Sequence, residues 1–422
     1  MTRHAMILAA LLPFITVAAR AAENDPSGYP VVHWKDAARY LGKVAVVQGR
    51  IVAARNIGKI CFLNFDDPAS RTFTAIVKER NYKRFSTPPE VLYKDKWVRI
   101  RGMISEYRGK LQVEVLDPDQ VTVLEKEEPI PPERHVDRPP FDGTVTVGTF
   151  NLLNLFDDHD DPYHADEGTP AKPEKQRKAA AAAIRKLNAD VLALQEVENR
   201  GVLEEFVRTL LPDMGYEHVV CFESNDRRGI DCAVLSRIPV GPVSSYRHLR
   251  FSDGSGAVTR FRRDLIEVRI EPNGYEAFTV FAVHLKSRAG GGKSLALRKA
   301  EARQIRVILD GKLRENPAAR FVLCGDMNDT WESDPLKILR GEGVAELTGF
   351  VDQLPKGTVT YKGRNGDVID YLLCSPEMAR RYEPKSYRVD SGSLDVCGSD
   401  HNPVIIRFLL APASTSAGGR AG

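Results

Sequence analysis

Acids and amides that could hold a metal ion or move a proton follow the apolar run at 321–323. The run ends at Gly325, and Asp326, Asn328 and Asp329 come next. An apolar strand does not bury such groups without partners, because an unpaired buried carboxylate is costly. These side chains are therefore expected at the rim of a sheet, where the chain leaves the core. Acid-rich turns after strands are common, so this stretch alone does not establish catalysis.

The same arrangement recurs at six predicted strand ends. Their polar residues are Asn151, Gln195 with Glu196, His284 with Lys286, Asp326 with Asn328, Asp370, and Ser399 with Asp400 and His401. Carboxylate and amide oxygens suit Mg²⁺ or Mn²⁺ better than zinc. The sequence contains no Gly-x-Ser-x-Gly elbow, no Gly-x-x-x-x-Gly-Lys phosphate loop and no His-Glu-x-x-His motif. These residue types predict metal-assisted hydrolysis of a phosphoester.

Strands alternate with helices around these residues, over a predicted catalytic domain at 144–410. Strands are predicted at 145–150, 191–194, 231–235, 265–270, 278–283, 321–323, 368–373 and 404–409, and helices at 175–187, 202–211 and 295–313. This pattern indicates an α/β class with more strands than helices. We expect two packed sheets flanked by helices.

Six motifs in this domain resemble those of the endonuclease/exonuclease/phosphatase family, in the same order. They are Thr149-Phe150-Asn151-Leu152-Leu153-Asn154, Leu194-Gln195-Glu196-Val197-Glu198-Asn199, His284-Leu285-Lys286-Ser287, Gly325-Asp326-Met327-Asn328, Ile369-Asp370-Tyr371 and Gly398-Ser399-Asp400-His401. Each motif is weak alone, but the ordered set is specific. The motif sequences are most similar to those of bacterial secreted nucleases, and the resemblance implies a four-layer α/β sandwich.

The resemblance also implies roles for individual residues. Glu196 would be the main ligand of Mg²⁺ or Mn²⁺, and Asn151 and Asp400 would help to hold the ion. Asp326 would be the base for the attacking water, and Asn328 would donate to a phosphate oxygen. His401, held by Asp370, would stabilise the pentacovalent phosphorus, and His284 would contact the phosphate or the leaving group. Four further residues are predicted to bind substrate, namely Asn154, Lys286, Asp231 and Arg263. For Lys286 the alternative is a purely surface role.

The first part of the chain predicts a small OB-type β-barrel domain at 25–123. Strands are expected at 44–52, 60–65, 73–77, 97–104 and 111–115, with one helix at 33–41. The cations Lys78, Arg80, Lys83 and Arg84 are interleaved with the aromatic residues Phe62, Phe73, Tyr82 and Tyr107. Such a mixture is typical of single-strand nucleic-acid binding. The alternative is an aromatic core with solvated charges, and a proline-rich linker follows at 125–143.

Both termini and the composition restrict the setting in which the protein works. Residues 1–21 read as a signal peptide, with Arg3 before the apolar run and Ala19-Arg20-Ala21 as a cleavage site. We therefore expect a periplasmic or secreted monomer without stable membrane insertion, and a disordered tail at 411–422. The net charge of +3 gives no strong global field, so an acidic partner needs a local patch.

The six cysteines show no zinc-ligand spacing, and Cys221 and Cys232 are close enough in sequence to form a disulfide. The leading interpretation is an exported metal-dependent nuclease that cleaves DNA or RNA by in-line attack of water. One alternative is a phosphodiesterase or phosphatase acting on phospholipid or a small phosphoester. A third is a non-catalytic nucleic-acid-binding protein of the OB type.

Overall fold

The computed structural model describes residues 28–66, 73–130, 140–363 and 366–413. The chain divides into two compact units, Met1–His135 and Val136–Gly422. The predicted signal peptide at 1–21 and residues 414–422 of the predicted tail lie outside the described ranges. Within those ranges, no helix combines the length and the apolar character that crossing a membrane requires.

The first unit is rich in strands, as predicted. Its described strands are β1 (Val31–His33), β2 (Val44–Arg50), β3 (Ala53–Asn56), β4 (Ile60–Asn64), β5 (Thr74–Lys78), β6 (Trp97–Tyr107), β7 (Lys110–Glu114) and β8 (Val121–Leu124). Its helices are the 3₁₀ segments Trp34–Tyr40, Glu79–Arg84 and Pro118–Gln120, and α1 (Pro89–Tyr93). Five of these strands coincide with the five expected ones to within a few residues, and β1, β3 and β8 are additional.

The strands of the first unit pair in the order β1-β2-β6-β7-β5-β4-β3, and β8 joins β6. β5 and β7 run parallel, while the other pairs except β1 with β2 are antiparallel. Only Ile51 and Val52 lie between β2 and β3. The Ile51 amide donates a hydrogen bond to the Lys96 carbonyl, and the Val52 amide donates one to the Asn64 carbonyl. Within the described residues these hydrogen bonds trace an open ladder, so the closed OB-type barrel stays a prediction.

Three of the four cations that the sequence groups together are ion-paired inside the first unit. Lys78 and Arg80 contact the two carboxylate oxygens of Glu114 at 2.6 and 3.0 Å, and Arg84 lies 3.3 Å from Asp117. These exposed ion pairs reduce the positive charge that the cations offer to a phosphate backbone without removing it, because Lys78 and Arg80 share one carboxylate.

The aromatic residues of the same set do not share one surface role. Phe73 is buried in the core of the unit, and the Tyr82 hydroxyl donates to Asn56 Oδ1 at 3.2 Å. Tyr107 is 59% exposed, with the Arg108 guanidinium 5.4 Å from its ring centre. Of these three, Tyr107 is the side chain that a stacking base could reach.

The second unit contains the strands and helices that carry the predicted site. Its described strands are β9 (Thr144–Leu155), β10 (Val191–Val197), β11 (His218–Cys221), β12 (Asp231–Ser236), β13 (Val240–Ser245), β14 (Phe251–Ser252), β15 (Val258–Thr259), β16 (Leu265–Ile270), β17 (Phe278–His284), β18 (Phe321–Asp326), β19 (Asp370–Cys374), β20 (Arg388–Val389) and β21 (Val404–Leu409). Its α-helices are α2 (Glu174–Leu187), α3 (Arg200–Leu210), α4 (Gly291–Glu315), α5 (Asp334–Arg340), α6 (Pro376–Ala379) and α7 (Leu394–Cys397), and two 3₁₀ turns lie at Gly343–Ala345 and Val351–Gln353.

Two sheets pack face to face in this unit. One has the order β11-β12-β10-β9-β21-β20 and the other β13-β16-β17-β18-β19, while β14 and β15 form a separate hairpin. Apolar side chains of both sheets share one buried cluster between them. α2 and α3 cover the outer face of the first sheet, and α4 and α5 cover that of the second. The predicted four-layer α/β sandwich is confirmed.

All six cysteines lie within the described residues, and all are buried free thiols. The possible disulfide between Cys221 and Cys232 is therefore wrong. In the β11–β12 ladder Cys221 lies opposite Ala233, so the neighbouring Cys232 projects from the other face of the sheet. Cys221 accordingly joins the cluster under the helices, and Cys232 joins the cluster between the sheets.

Candidate active site

The alternation of side chains along four strands brings polar groups together between the two sheets. Val145 and Val147 of β9 face the inter-sheet cluster, so Asn151 continues the same row at the end of the strand. Val280 and Ala282 lead in the same way to His284, Cys324 leads to Asp326, and Leu372 leads to Asp370. The apolar rows end, and the polar residues occupy the mouth of the same inter-sheet space.

Glu196 reaches this mouth through a bulge in β10. The register of β10 against both of its neighbours shifts between Gln195 and Val197. Glu196 itself has a left-handed backbone with φ of 60°. A bulge inserts one residue and re-aims its side chain. Its Oε1 accepts from Asn151 Nδ2 at 3.2 Å, and its Oε2 accepts from the Asn154 amide at 3.1 Å.

Gly325 lets β18 approach β17 closely enough to place Asp326 beside two partners. In the ladders Asp326 lies opposite His284 on one side and Asp370 on the other. Gly325 has φ of 149°, and a Cβ atom added there would lie 1.8 Å from the Val283 carbonyl oxygen. Glycine is the residue type that permits this approach.

Asp326 is the most connected carboxylate of the site. Its Oδ1 accepts from the Asn328 amide at 2.8 Å, and its Oδ2 accepts from Asn151 Nδ2 at 3.1 Å and from Asn328 Nδ2 at 3.2 Å. Burial, and then the nearby Asp370 carboxylate, raise the pKa of Asp326 to about 7. A carboxylate with such a pKa can accept a proton at neutral pH.

Asn151 and Asn328 both act here as donors within the protein. The oxygen of Asn151 accepts from the Leu153 amide at 2.9 Å, which leaves its NH₂ group to join Glu196 and Asp326. Asn328 Nδ2 is shared between Leu285 O and Asp326 Oδ2. In this arrangement the two amides position carboxylates, and neither points an unused hydrogen at a phosphate.

His401 is paired with Asp370, as the sequence predicts. Its Nδ1 lies 2.9 Å from Asp370 Oδ2, and its Nε2 faces Asp326 and Asp400 at 3.9 and 4.0 Å. Burial lowers the pKa of His401, but the Asp370 carboxylate outweighs burial and raises that pKa to about 10. The imidazolium form is thus favoured, with its second N–H directed into the cavity.

His284 lies in the opposite electrostatic environment. Its Nε2 is 3.2 Å from Arg263 Nη1 and 3.3 Å from Asp326 Oδ2. Burial, and then the Arg263 guanidinium, hold the pKa of His284 well below its usual range. The two histidines therefore differ in charge at neutral pH. Arg263 is fixed by Asp226 Oδ2 at 3.3 Å and by Leu285 O at 3.0 Å.

The carboxylates next to His401 fit a divalent cation. Burial raises the pKa of Asp400, the His401 charge opposes this rise, and the Glu196 carboxylate adds to it, so a further positive charge beside the two carboxylates would favour their ionised form. Asp400 Oδ1 and Asn154 Oδ1 are buried and have no hydrogen-bond partner among the described residues. Hard oxygen donors of this kind are what Mg²⁺ and Mn²⁺ prefer. Glu196 and Asp400 would hold the ion.

These groups surround a cavity of about 320 Å³. It is lined by Leu153, Glu196, Arg228, Arg263, His284, Ser287, Arg288, Ala289, Asp326, Asn328, Tyr361, Ile369, Asp400 and His401. Sequence reasoning missed Arg228, Arg288 and Tyr361, because they lie on loops where no periodicity marks them. Asp329, uncertain from the sequence, is a support residue that binds the buried Arg298 guanidinium at 2.8 Å.

A buried lysine that the sequence did not reveal supports the turn after Asn151. Lys172 is 5% exposed, and its Nζ donates to the Leu153 carbonyl at 3.0 Å. Burial lowers its pKa to about 8, although the Glu196 and Asp400 carboxylates act in the other direction. Leu153 and Asn154 have φ of 52° and 53°, so Lys172 holds a left-handed turn whose Asn154 amide binds Glu196.

Of the four predicted substrate-binding residues, Arg263 lines the cavity, and the other three do not. Lys286 is partly exposed. Its backbone amide donates to Glu301 Oε2 at 2.9 Å, and its carbonyl accepts from Arg298 Nη1 at 2.9 Å. Asp231 is 1% exposed and accepts from the Ser224 amide at 2.8 Å. It braces the loop before β12. Arg263 lines the cavity, and Asn154 contributes its backbone amide to Glu196.

Asp231 makes stability depend on pH in an unusual direction. Burial raises its pKa to about 8, so the folded state holds a proton that the unfolded chain loses near pH 4. The free energy of unfolding should fall as the pH rises from about 4 to about 8. We expect Asp231→Asn, which keeps an acceptor for Ser224, to be more stable than wild type at pH 9 by at least about 2 kcal/mol.

Denaturant unfolding of both proteins at pH 5, 7 and 9 measures this difference. All other titrating groups are common to the two proteins, so their contributions cancel. A stability difference that stays constant over this pH range would show that Asp231 is ionised without cost in the folded state.

Residues 146–388 match the model of the family described as the Endonuclease/Exonuclease/phosphatase family. The matched range covers more than half of the chain and includes the ordered motifs up to Asp370. The chain belongs to the endonuclease/exonuclease/phosphatase family. It is therefore a phosphoester hydrolase of that family. Asp400 and His401 lie beyond the matched range, and the geometry joins them to the same site.

Several solved structures are similar to this family member. The human nocturnin catalytic domain is 18% identical with a TM-score of 0.46, and the match covers 65% of this chain and 97% of that domain. An endonuclease/exonuclease/phosphatase from Beutenbergia cavernae is 21% identical with a TM-score of 0.44, covering 64% and 72%. Sphingomyelinase C from Streptomyces griseocarneus is 18% identical with a TM-score of 0.43, covering 63% and 99%. No curated protein matches the chain.

Proposed function

We propose that this protein is a metal-dependent nuclease that hydrolyses phosphodiester bonds of DNA or RNA. The observation that carries the proposal is the mixed lining of one cavity. Glu196, Asp400 and Asp326 supply carboxylates to the same 320 Å³ space as His401, and Arg228, Arg263 and Arg288 supply guanidinium groups. Arg263 and Arg288 are also ion-paired, with Asp226 and Asp367, so Arg228 is the guanidinium group of this set without an ion pair among the described residues. Carboxylates suit a divalent cation, and guanidinium groups suit the non-bridging oxygens of a phosphate.

Asp326 is placed to accept a proton from the attacking water. Asn151 and Asn328 fix both of its oxygens, so the carboxylate need not reorganise during the reaction. Its raised pKa matches proton transfer near neutrality. Water attacks phosphorus in line with the leaving oxygen, and no covalent bond to the enzyme forms.

His401 and the carboxylate pair stabilise the charge that develops on phosphorus. Asp370 orients the His401 ring through Nδ1, so that Nε2–H can donate to a phosphoryl oxygen. A divalent ion held by Glu196 and Asp400 would supply Lewis-acid stabilisation of the same group. Arg263 anchors His284 in its neutral form and adds positive charge on the far side of the cavity.

The site of action and the role of the first unit are also proposals. Residues 1–21 support export to the periplasm or the medium, and the monomeric state is likewise proposed. The strand-rich first unit supports an OB-type auxiliary role in nucleic-acid binding, for which Tyr107 is the exposed aromatic candidate. The ion pairs of Lys78, Arg80 and Arg84 reduce the charge it can offer.

Removal of divalent metal tests the proposed function directly. Supercoiled plasmid, linear duplex, RNA and sphingomyelin vesicles are incubated with the purified protein in EDTA, and then with Mg²⁺, Mn²⁺ or Ca²⁺ restored. We expect EDTA to abolish polynucleotide cleavage, and Mg²⁺ or Mn²⁺ to restore it, because the carboxylate pair needs a cation.

The Asp326→Asn protein, purified in the same way, controls for contaminating nuclease and should remain inactive with every metal. Full activity in EDTA would contradict metal dependence. Hydrolysis of vesicles without cleavage of any polynucleotide would contradict the nuclease assignment.

A further inference from the structure

Outside the cavity, two neighbouring depressions flank the β14–β15 hairpin. One has a volume of about 470 Å³ and the other about 690 Å³, and both are lined by Thr259 and Arg262. Between them they carry six basic residues, Arg250, Arg260, Arg262, Lys293, Lys299 and Arg303. We call these six residues the basic surface. Asp253 is the one acidic residue among the lining residues of the two depressions.

The basic surface is joined to the active site by one short segment. Arg260 and Arg262 are exposed, while Phe261 and Arg263 are buried, so alternate side chains point outward and inward. The inward Arg263 is the residue that faces His284. Neighbouring residues of one segment, Arg262 and Arg263, thus line the basic surface and the cavity respectively.

The backbone of this segment is fixed from both directions. The Arg262 amide donates to Glu301 Oε1 at 3.1 Å, and the Arg262 carbonyl accepts from the Asn225 amide at 3.0 Å. Asn225 Nδ2 also donates to the Phe261 carbonyl at 2.8 Å. Glu301 is 1% exposed and holds the Lys286 amide with its other oxygen. The basic surface is thus presented by a rigid scaffold rather than by a loose loop.

Most cations of the basic surface lack an internal counter-charge. Lys299 pairs with Asp334 at 2.8 Å. Among the described residues, the side chains of the other five make no hydrogen bond within the protein and no ion pair. By contrast, Lys178, Arg185 and Lys186 of α2 each contact a carboxylate. Five cations without an ion-pair partner in the described chain outnumber Asp253, the acid that lines the same depressions, and this excess of positive charge favours a polyanion.

We propose that the basic surface binds the sugar-phosphate backbone of a nucleic-acid strand whose scissile phosphodiester occupies the cavity. This inference rests on the proposed nuclease function and adds where the polymer lies. The cavity and the two depressions share no lining residue. A headgroup or small phosphoester that fills the cavity leaves the basic surface uncovered, whereas a strand extends over both. Successive phosphates are the ligand that matches several cations in a row.

The test compares two triple variants with the same charge change. The first variant removes three cations of the basic surface by combining Arg260→Gln, Arg262→Gln and Lys293→Gln. The second variant is the matched control on α2 and combines Lys178→Gln, Arg185→Gln and Lys186→Gln. For each full-length protein, kcat/KM is measured on long duplex DNA and on bis(p-nitrophenyl) phosphate over a range of salt concentrations.

For the basic-surface variant we expect the ratio of the two kcat/KM values, DNA over small diester, to fall at least about tenfold at low salt. The slope of log(kcat/KM) against log[salt] on DNA should become shallower by about 2–3, since each phosphate contact contributes about 0.9. The control should keep the wild-type ratio and slope.

Two results would overturn the inference. If the basic-surface variant keeps the wild-type ratio of kcat/KM values and the wild-type salt slope, the inference is wrong, while the proposed nuclease function is unaffected. Wild-type protein that cleaves the small diester but no polynucleotide overturns the inference and the proposed function together. Thermal unfolding of all three proteins establishes that the variants are folded.

Discussion

Replacing His401 with alanine is expected to lower kcat by about 10³–10⁴-fold, because the variant lacks the imidazolium group that would stabilise the charge of the transition state. The imidazolium is the donor that Asp370 orients toward the cavity, with Nδ1 to Oδ2 at 2.9 Å. In the proposed mechanism, its loss removes a positive charge from beside the phosphorus at the moment when negative charge accumulates there. The effect should therefore appear in kcat on DNA and on a small diester alike.

Asp370→Asn provides the companion measurement. The asparagine keeps His401 in place but removes the carboxylate that raises its pKa. A double variant should be about as slow as His401→Ala alone, because the two residues act as one unit. His248→Ala, at an exposed position of the same unit, is the matched control and should keep wild-type kcat. A His401→Ala protein within tenfold of wild type would show that the charge is stabilised by other groups.

Replacing Gly325 with alanine is expected to prevent folding of the second unit, or to lower its free energy of unfolding by about 3–5 kcal/mol. The new Cβ would lie 1.8 Å from the Val283 carbonyl oxygen, in a backbone conformation with φ of 149°. Relief requires β17 and β18 to separate at the pair that precedes His284 and Asp326. Any folded fraction should therefore also lose activity.

Gly311→Ala is the control for this substitution. Gly311 lies inside α4, and a Cβ atom there meets no atom within 4 Å. Alanine at that position should leave stability unchanged or raise it by up to about 1 kcal/mol. Denaturant unfolding followed by circular dichroism compares the three proteins. Equal unfolding midpoints for Gly325→Ala and wild type would mean that the two strands can separate there at no cost.

The core strands and the site residues at their ends were predictable because they follow simple periodicity. Apolar runs such as 278–283 and 404–409 became β17 and β21 almost without change. Strand alternation then carries the last residue of each run toward the same inter-sheet space. For that reason His284, Asp326 and Asp370 could be grouped before any distance was known.

Features that depend on the partner of a residue were not predictable. The edge strand β11 has only four residues, and Gly241 and Pro242 interrupt the edge strand β13, so neither forms a long apolar run; pairing sets their place. The bulge at Glu196 requires a positive φ in a residue type that rarely adopts it. Asp231 is acidic and near a strand start, like the site residues, yet burial and Ser224 make it structural.

The buried free thiols give this protein built-in reporters of its own local opening. A thiol reacts with an alkylating reagent as the thiolate, and burial raises the pKa of the Cys61, Cys324 and Cys374 thiols. Each therefore becomes labelled when its own region opens to solvent. Cys61 marks the first unit, and Cys324 and Cys374 mark the sheet that carries Asp326. Alkylation followed by peptide mass spectrometry thus ranks the opening of the two units without any engineered probe.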